Sequence, residues 1–64
     1  MALTYLRDRN GFIIGKVEVL RNGDKMLMDR NGHILGKYLS KTNLTIDYYG
    51  HIVGRGDVLT MLLR

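Results

Sequence analysis

Apolar residues in this chain fall in short clusters, each cut off by a polar run rich in Asp, Asn and Gly. Leu3, Tyr5 and Leu6 precede Asp8-Arg9-Asn10-Gly11. Phe12, Ile13 and Ile14 follow it, and Val17 and Val19 then alternate with Lys16 and Glu18. The arrangement returns with Met26, Leu27 and Met28 before Asp29-Arg30-Asn31-Gly32, and Ile34 and Leu35 after it. It returns again with Leu44, Thr45 and Ile46 before Asp47-Tyr48-Tyr49-Gly50, and Ile52 and Val53 after. Short runs rich in β-branched and aromatic residues, bounded by turn formers, read as strands, and the turn signals leave no room for a long amphipathic helix. The pattern predicts an all-β fold: three tandem antiparallel β-hairpin repeats with pseudo-symmetry, curling around a common axis and closed by an apolar C-terminal segment.

The repeated unit reads DRNGFIIGK at 8–16, DRNGHILGK at 29–37 and DYYGHIVGR at 47–55. Its Asp (Asp8, Asp29, Asp47) suits the first position of a type I turn, where the carboxylate accepts backbone N–H groups. Its first Gly (Gly11, Gly32, Gly50) suits the left-handed position that follows. That combination is a common hairpin loop with a bulge. The second Gly (Gly15, Gly36, Gly54) lies inside the outgoing strand, where it marks a bulge, a bend, or the close approach of another backbone or ring. The repeats span about 3–20, 25–40 and 44–56, with 57–64 as the closing segment, all in a single domain of 1–64. Asn22-Gly23 signals a further reversal between the first two repeats. The expected core holds Ile13, Ile34 and Ile52, with Met26, Met28, Leu44, Ile46, Leu59 and Leu62 beside them.

Sixty-four residues bury a modest fraction of their surface, and there is no Cys for a disulfide. A chain so short of staples is expected to self-associate. Two surfaces are candidates: the apolar tail with Leu59, Leu62 and Leu63, and the Tyr48-Tyr49 tip of the third turn. For the tail itself the leading reading is a final strand or turn of helix closing the monomer's own core, and pairing with the same segment of a second chain is the alternative. No apolar run approaches a membrane span and no secretory signal opens the sequence, so the expected compartment is the cytoplasm.

The net charge of +4 allows a polyanionic partner. Lys16, Lys37 and Arg55 recur at one repeat position. On hairpins related by rotation they would form a cationic ring for a nucleic-acid backbone, with Tyr38, Tyr48 or Tyr49 stacking on bases. The plainer reading is a solvated rim that discourages strand-edge pairing. Asp-x-Asn-Gly-x-Ile resembles the inner part of an EF-hand loop. However, the first ligand position would be Leu6, Leu27 or Thr45 and the closing carboxylate Val17, Tyr38 or Gly56, so turn capping is the expected role of the three Asp residues. His33 and His51 occupy the position held by Phe12 in the first copy, which points to a planar side chain rather than a metal ligand. Arg55-Gly56-Asp57 spells an adhesion tripeptide that is read as accidental. With no Cys, a lone Glu18 and a lone Ser40 far in sequence from either His, no catalytic residues, cofactor, metal or small-molecule substrate are expected. The expected function is a non-enzymatic structural or protein-interaction module that self-associates, with polyanion or nucleic-acid binding as the alternative.

The unit D-x-N-G-x-x-[ILV]-G-[KR], followed by Gly54-Arg55-Gly56 and an apolar run, resembles small repeat proteins of gut-type bacteria described as 5-fold beta-flower proteins. That resemblance covers about Asp8 to the end and implies an all-β, pseudo-symmetric hairpin arrangement with no assigned activity. Tyr48-Tyr49 and the longer first connection depart from it. A weaker likeness, confined to DRNGFIIGKVEVL, is to PRC-barrel domains.

Overall fold

A computed structural model describes residues 2–63. Six strands follow one another: β1 (Ala2–Arg7), β2 (Ile13–Val19), β3 (Lys25–Asp29), β4 (Ile34–Leu39), β5 (Leu44–Asp47) and β6 (Ile52–Arg55). A short 3-10 helix, η1 (Leu59–Leu63), ends the described chain. Every strand is antiparallel to its sequence neighbours, in the order β1-β2-β3-β4-β5-β6. The sheet is therefore open: β1 and β6 are its edges and do not pair with each other, so the strands do not close around an axis.

The Asp-Gly turns form by local hydrogen bonding. Asp29 donates its N–H to His33 O (2.9 Å) and receives that of Gly32 on its own carbonyl (3.0 Å). Its Oδ1 accepts the N–H groups of Asn31 (2.8 Å) and His33 (2.9 Å). The same bonds recur at Asp8 and at Asp47. Gly32 sits at φ 89°, in the left-handed region a β-carbon disfavours. The β2–β3 connection repeats the backbone pattern from Leu20 to Asp24, with Leu in the place of Asp and Asn22 Oδ1 accepting the N–H of Asp24 (3.0 Å).

Asp24 then reaches across to the β4–β5 connection. Its Oδ1 accepts both the N–H (2.8 Å) and the hydroxyl (2.9 Å) of Ser40. The Ser40 N–H, then its hydroxyl, hold the Asp24 carboxyl below its ordinary pKa.

Three bulges decide what each face carries. Opposite Leu6/Arg7, Leu27/Met28 and Thr45/Ile46 the outgoing strand has one extra residue: Ile14, Leu35 and Val53. An extra residue resets the alternation of side chains. Plain alternation from Gly15, Gly36 or Gly54 would put Ile13, Ile34 and Ile52 on the glycine side. With the bulge they pair with Arg7, Met28 and Ile46 on the opposite side and remain 37%, 38% and 65% exposed. The expectation that these three isoleucines form the core is thereby corrected.

The core lies between the other face and the tail. Leu27 (0% exposed), Thr45 (0%) and Leu59 (2%) are buried there. The three strand glycines make the seat: a β-carbon on Gly15 would lie 3.0 Å from Leu63 Cδ2, one on Gly36 would collide with Leu62 Cδ1, and one on Gly54 would lie 3.2 Å from Val58 Cγ2. What comes close is the backbone of the neighbouring strand at Gly15 and Gly36 and aliphatic tail at all three, rather than a ring. Thr45 Oγ1 fastens the tail by donating to Gly56 O (2.7 Å) and accepting the N–H of Val58 (3.1 Å). Lys25 pairs with Asp57 (2.7 Å) at the half-exposed rim. Leu59 is buried by its own chain, and the half-buried Leu62 and Leu63 lie over Gly36 and Gly15, the arrangement in which the tail closes the monomer's core.

Candidate interaction surface

The face opposite the tail has no covering among the described residues. The pairings place along it one row of Tyr5, Lys16, Met28 and Ile34, and a second of Leu3, Glu18, Met26, Lys37, Ile46 and Ile52. Leu39, Leu44 and Arg55 continue it. Leu3 (48% exposed) and Tyr5 (50%) stand in solvent with the three isoleucines, while Met26, Met28 and Ile46 are half-buried by their neighbours. A shallow depression of about 330 Å³ lies at one end, lined by Ile34, Lys37, Ile46, Tyr48 and Tyr49. Leu3, Lys16, Glu18 and Met28 line another.

Tyr48 and Tyr49 project from the β5–β6 turn, 68% and 79% exposed. Their rings meet edge to face at 5.4 Å and 79°, and Tyr49 lies 6.3 Å from the His51 ring. Aromatic pairs in this arrangement present a large, amphipathic contact area.

Lys16, Lys37 and Arg55 do share this face. Because the sheet is open they run diagonally across it on β2, β4 and β6, and no ring forms. Tyr38 is not with them. It lies on the tail side, with its hydroxyl donating to Asn43 Oδ1 (2.7 Å) and Lys25 Nζ 5.9 Å from its ring centre. The tyrosine that joins the cations is Tyr5, opposite Lys16. Its place was signalled by the Leu3–Tyr5 alternation of an edge strand.

Each imidazole turns back onto its own turn. His33 Nδ1 lies 3.2 Å from Asp29 Oδ2, and His51 Nδ1 lies 3.6 Å from Asp47 Oδ2. The His33 N–H bond, then that of Asn31, lowers the Asp29 pKa against the opposing effect of burial, with the His33 ring adding to the lowering. Among the described residues no three His, Cys, Asp or Glu side chains gather at one point. No helix among them is long and apolar enough to cross a membrane.

No family model matches this chain, and neither a curated protein nor a solved structure is found similar to it.

Proposed function

We propose that this chain is a non-enzymatic structural module that assembles with copies of itself through the open face of its sheet. The observation that carries the reading is the distribution of apolar side chains. Two large ones, Leu27 and Leu59, are fully buried, while Leu3, Ile13, Ile34 and Ile52 stand on one uncovered face. The surface area points the same way. The chain exposes 4779 Å². A compact monomer of 7.3 kDa exposes about 4,200 Å² by the size scaling of folded proteins. The excess of about 600 Å² approaches what one partner contributes to a standard interface. A second copy is the occupant because it brings the same apolar face, and because each copy carries Glu18 as well as Lys16 and Lys37 there.

In this reading the three Asp-Gly hairpins are pseudo-symmetric copies of one unit. Each copy contributes a bulge that turns an isoleucine outward and a glycine that seats the tail. The likeness to beta-flower proteins, and a cytoplasmic setting, belong to the same proposal.

Light scattering over a range of concentrations tests it. The wild type is expected above the 7.3 kDa of one chain, and an Ile34→Lys/Ile52→Lys variant is expected to be folded and of lower mass than the wild type. A wild type that stays monomeric at every concentration refutes the reading.

A second reading rests on Lys16, Lys37 and Arg55 sharing the open face with Tyr5. A single-stranded nucleic acid would set its phosphates on that diagonal and stack a base on the ring. Three phosphate contacts give a slope of log affinity against log salt of roughly −2 for a single strand. No binding of a labelled oligonucleotide at low ionic strength disposes of it.

A further inference from the structure

An open sheet has two edges with unsatisfied backbone groups, and proteins usually blunt both. Here the two edges differ. β6 is four residues long, contains Gly54 and ends on Arg55, and the chain beyond it is drawn back by the Gly56 N–H bond to Asn43 O (2.7 Å). β1 shares only the terminal cation, Arg7, and lacks the other devices. It is six residues long, uncharged from Ala2 to Leu6, and free of Gly and Pro. The bulge in the first hairpin places its extra residue on β2, so β1 itself stays regular.

The direction of its free groups follows from the turn. Asp8 donates its N–H to Phe12 O, across the hairpin. Backbone groups alternate along a strand, so Leu6, Thr4 and Ala2 face β2, and the N–H and C=O of Leu3 and Tyr5 face outward.

We propose that β1 is an assembly edge that pairs antiparallel with β1 of a second copy, about a twofold axis passing between the two Thr4 residues. In that register Leu3 lies opposite Tyr5 of the second copy, each such pair exchanging both of its backbone hydrogen bonds. Ala2 lies opposite Leu6. Aromatic–aliphatic pairs opposite one another stabilise a sheet, and no like charges meet. The competing arrangement, β1 against β6 of another copy, is disfavoured by charge. In the register of β2 with β3, where Gly15 faces Asp29 and Lys16 faces Met28, it would set Arg55 against Arg7. The twofold pairing also keeps both open faces on one side of a doubled sheet. It extends the assembly proposed above, yet it is made by backbone groups and stands without the face contact.

The test compares Leu3→Pro with Leu3→Ala and follows amide exchange in the wild type. Proline removes the outward N–H, which an edge strand tolerates, and alanine removes the same side chain while keeping that donor. Leu3→Pro is expected to halve the particle mass relative to Leu3→Ala with the β signal in circular dichroism retained. In the wild type the Leu3 and Tyr5 amides are expected to gain protection as concentration rises. Equal masses for the two folded variants, or Leu3 and Tyr5 amides that exchange freely at every concentration, overturn the proposal. Should Leu3→Pro unfold, the wild-type exchange decides alone. An edge reserved for another protein's strand would leave Tyr5 unprotected in the pure protein, which also counts against it. The Ile34→Lys/Ile52→Lys variant separates the two contacts: a mass unchanged from wild type with Tyr5 still protected means that the face reading alone has failed.

Discussion

Replacing Gly36 by Ala tests the claim that the strand glycines exist to seat the tail. An ideal β-carbon there collides with the Ile46 carbonyl oxygen and Leu62 Cδ1, and approaches Asp47 Cα to 3.3 Å. Backbone on one side and packed leucine on the other leave little room to relax, so the cost is that of overpacking, about 1–3 kcal/mol. Against it stands the gain from stiffening the unfolded chain, about 0.4–1 kcal/mol. The net expectation is a loss of about 1–2 kcal/mol, a fall in Tm of roughly 5–15 °C for a domain of this size.

The neighbouring glycines supply the scale. At Gly15 the β-carbon meets Met28 O at 2.8 Å and Leu63 Cδ2 at 3.0 Å, which predicts a smaller loss. At Gly54 it meets only Val58 Cγ2 at 3.2 Å, a side chain able to shift, so Gly54→Ala should lie within about 0.5 kcal/mol of wild type. Urea unfolding of all three at one protein concentration reads the order. Combining Gly36→Ala with Leu62→Ala should recover at least about 0.5 kcal/mol relative to additivity, since the two sites touch. If Gly36→Ala is neutral, or no worse than Gly54→Ala, the tail does not sit where the structure has it.

Thr45→Val leaves the Gly56 carbonyl and the Val58 N–H without their partner. At about 1–3 kcal/mol for each buried group unsatisfied, it should cost about 2 kcal/mol or more and speed exchange of the Val58 amide. Because Asp24 titrates lower in the folded chain than in the unfolded one, its contribution to stability is complete above the unfolded aspartate value of about 3.9 and disappears as pH falls through the lower folded value. The stability gap between wild type and Asp24→Ala, measured by urea unfolding, should therefore narrow on acidification; a gap that widens refutes the Ser40 clamp.

The turns were legible in the sequence because they close over five residues. Asp29 bonds to Asn31 and His33 within its own loop, and Gly32 takes its positive φ from the same local geometry, so no distant residue is consulted. Strand positions and the all-β class follow from the same punctuation. What faced what did not follow. A single extra residue at Ile14, Leu35 or Val53 reverses the side on which Ile13, Ile34 and Ile52 emerge; the strand glycines signal a bulge or bend nearby, but not which residue is the extra one. Burial of Thr45 depends on Gly56 and Val58 arriving from beyond the last strand, and the glycines at 15, 36 and 54 show their purpose only when Leu63, Leu62 and Val58 are laid over them. Local hydrogen bonding is written in neighbouring residues. The choice of face, and therefore the surface left open for a partner, is settled only by contacts between residues far apart in the chain.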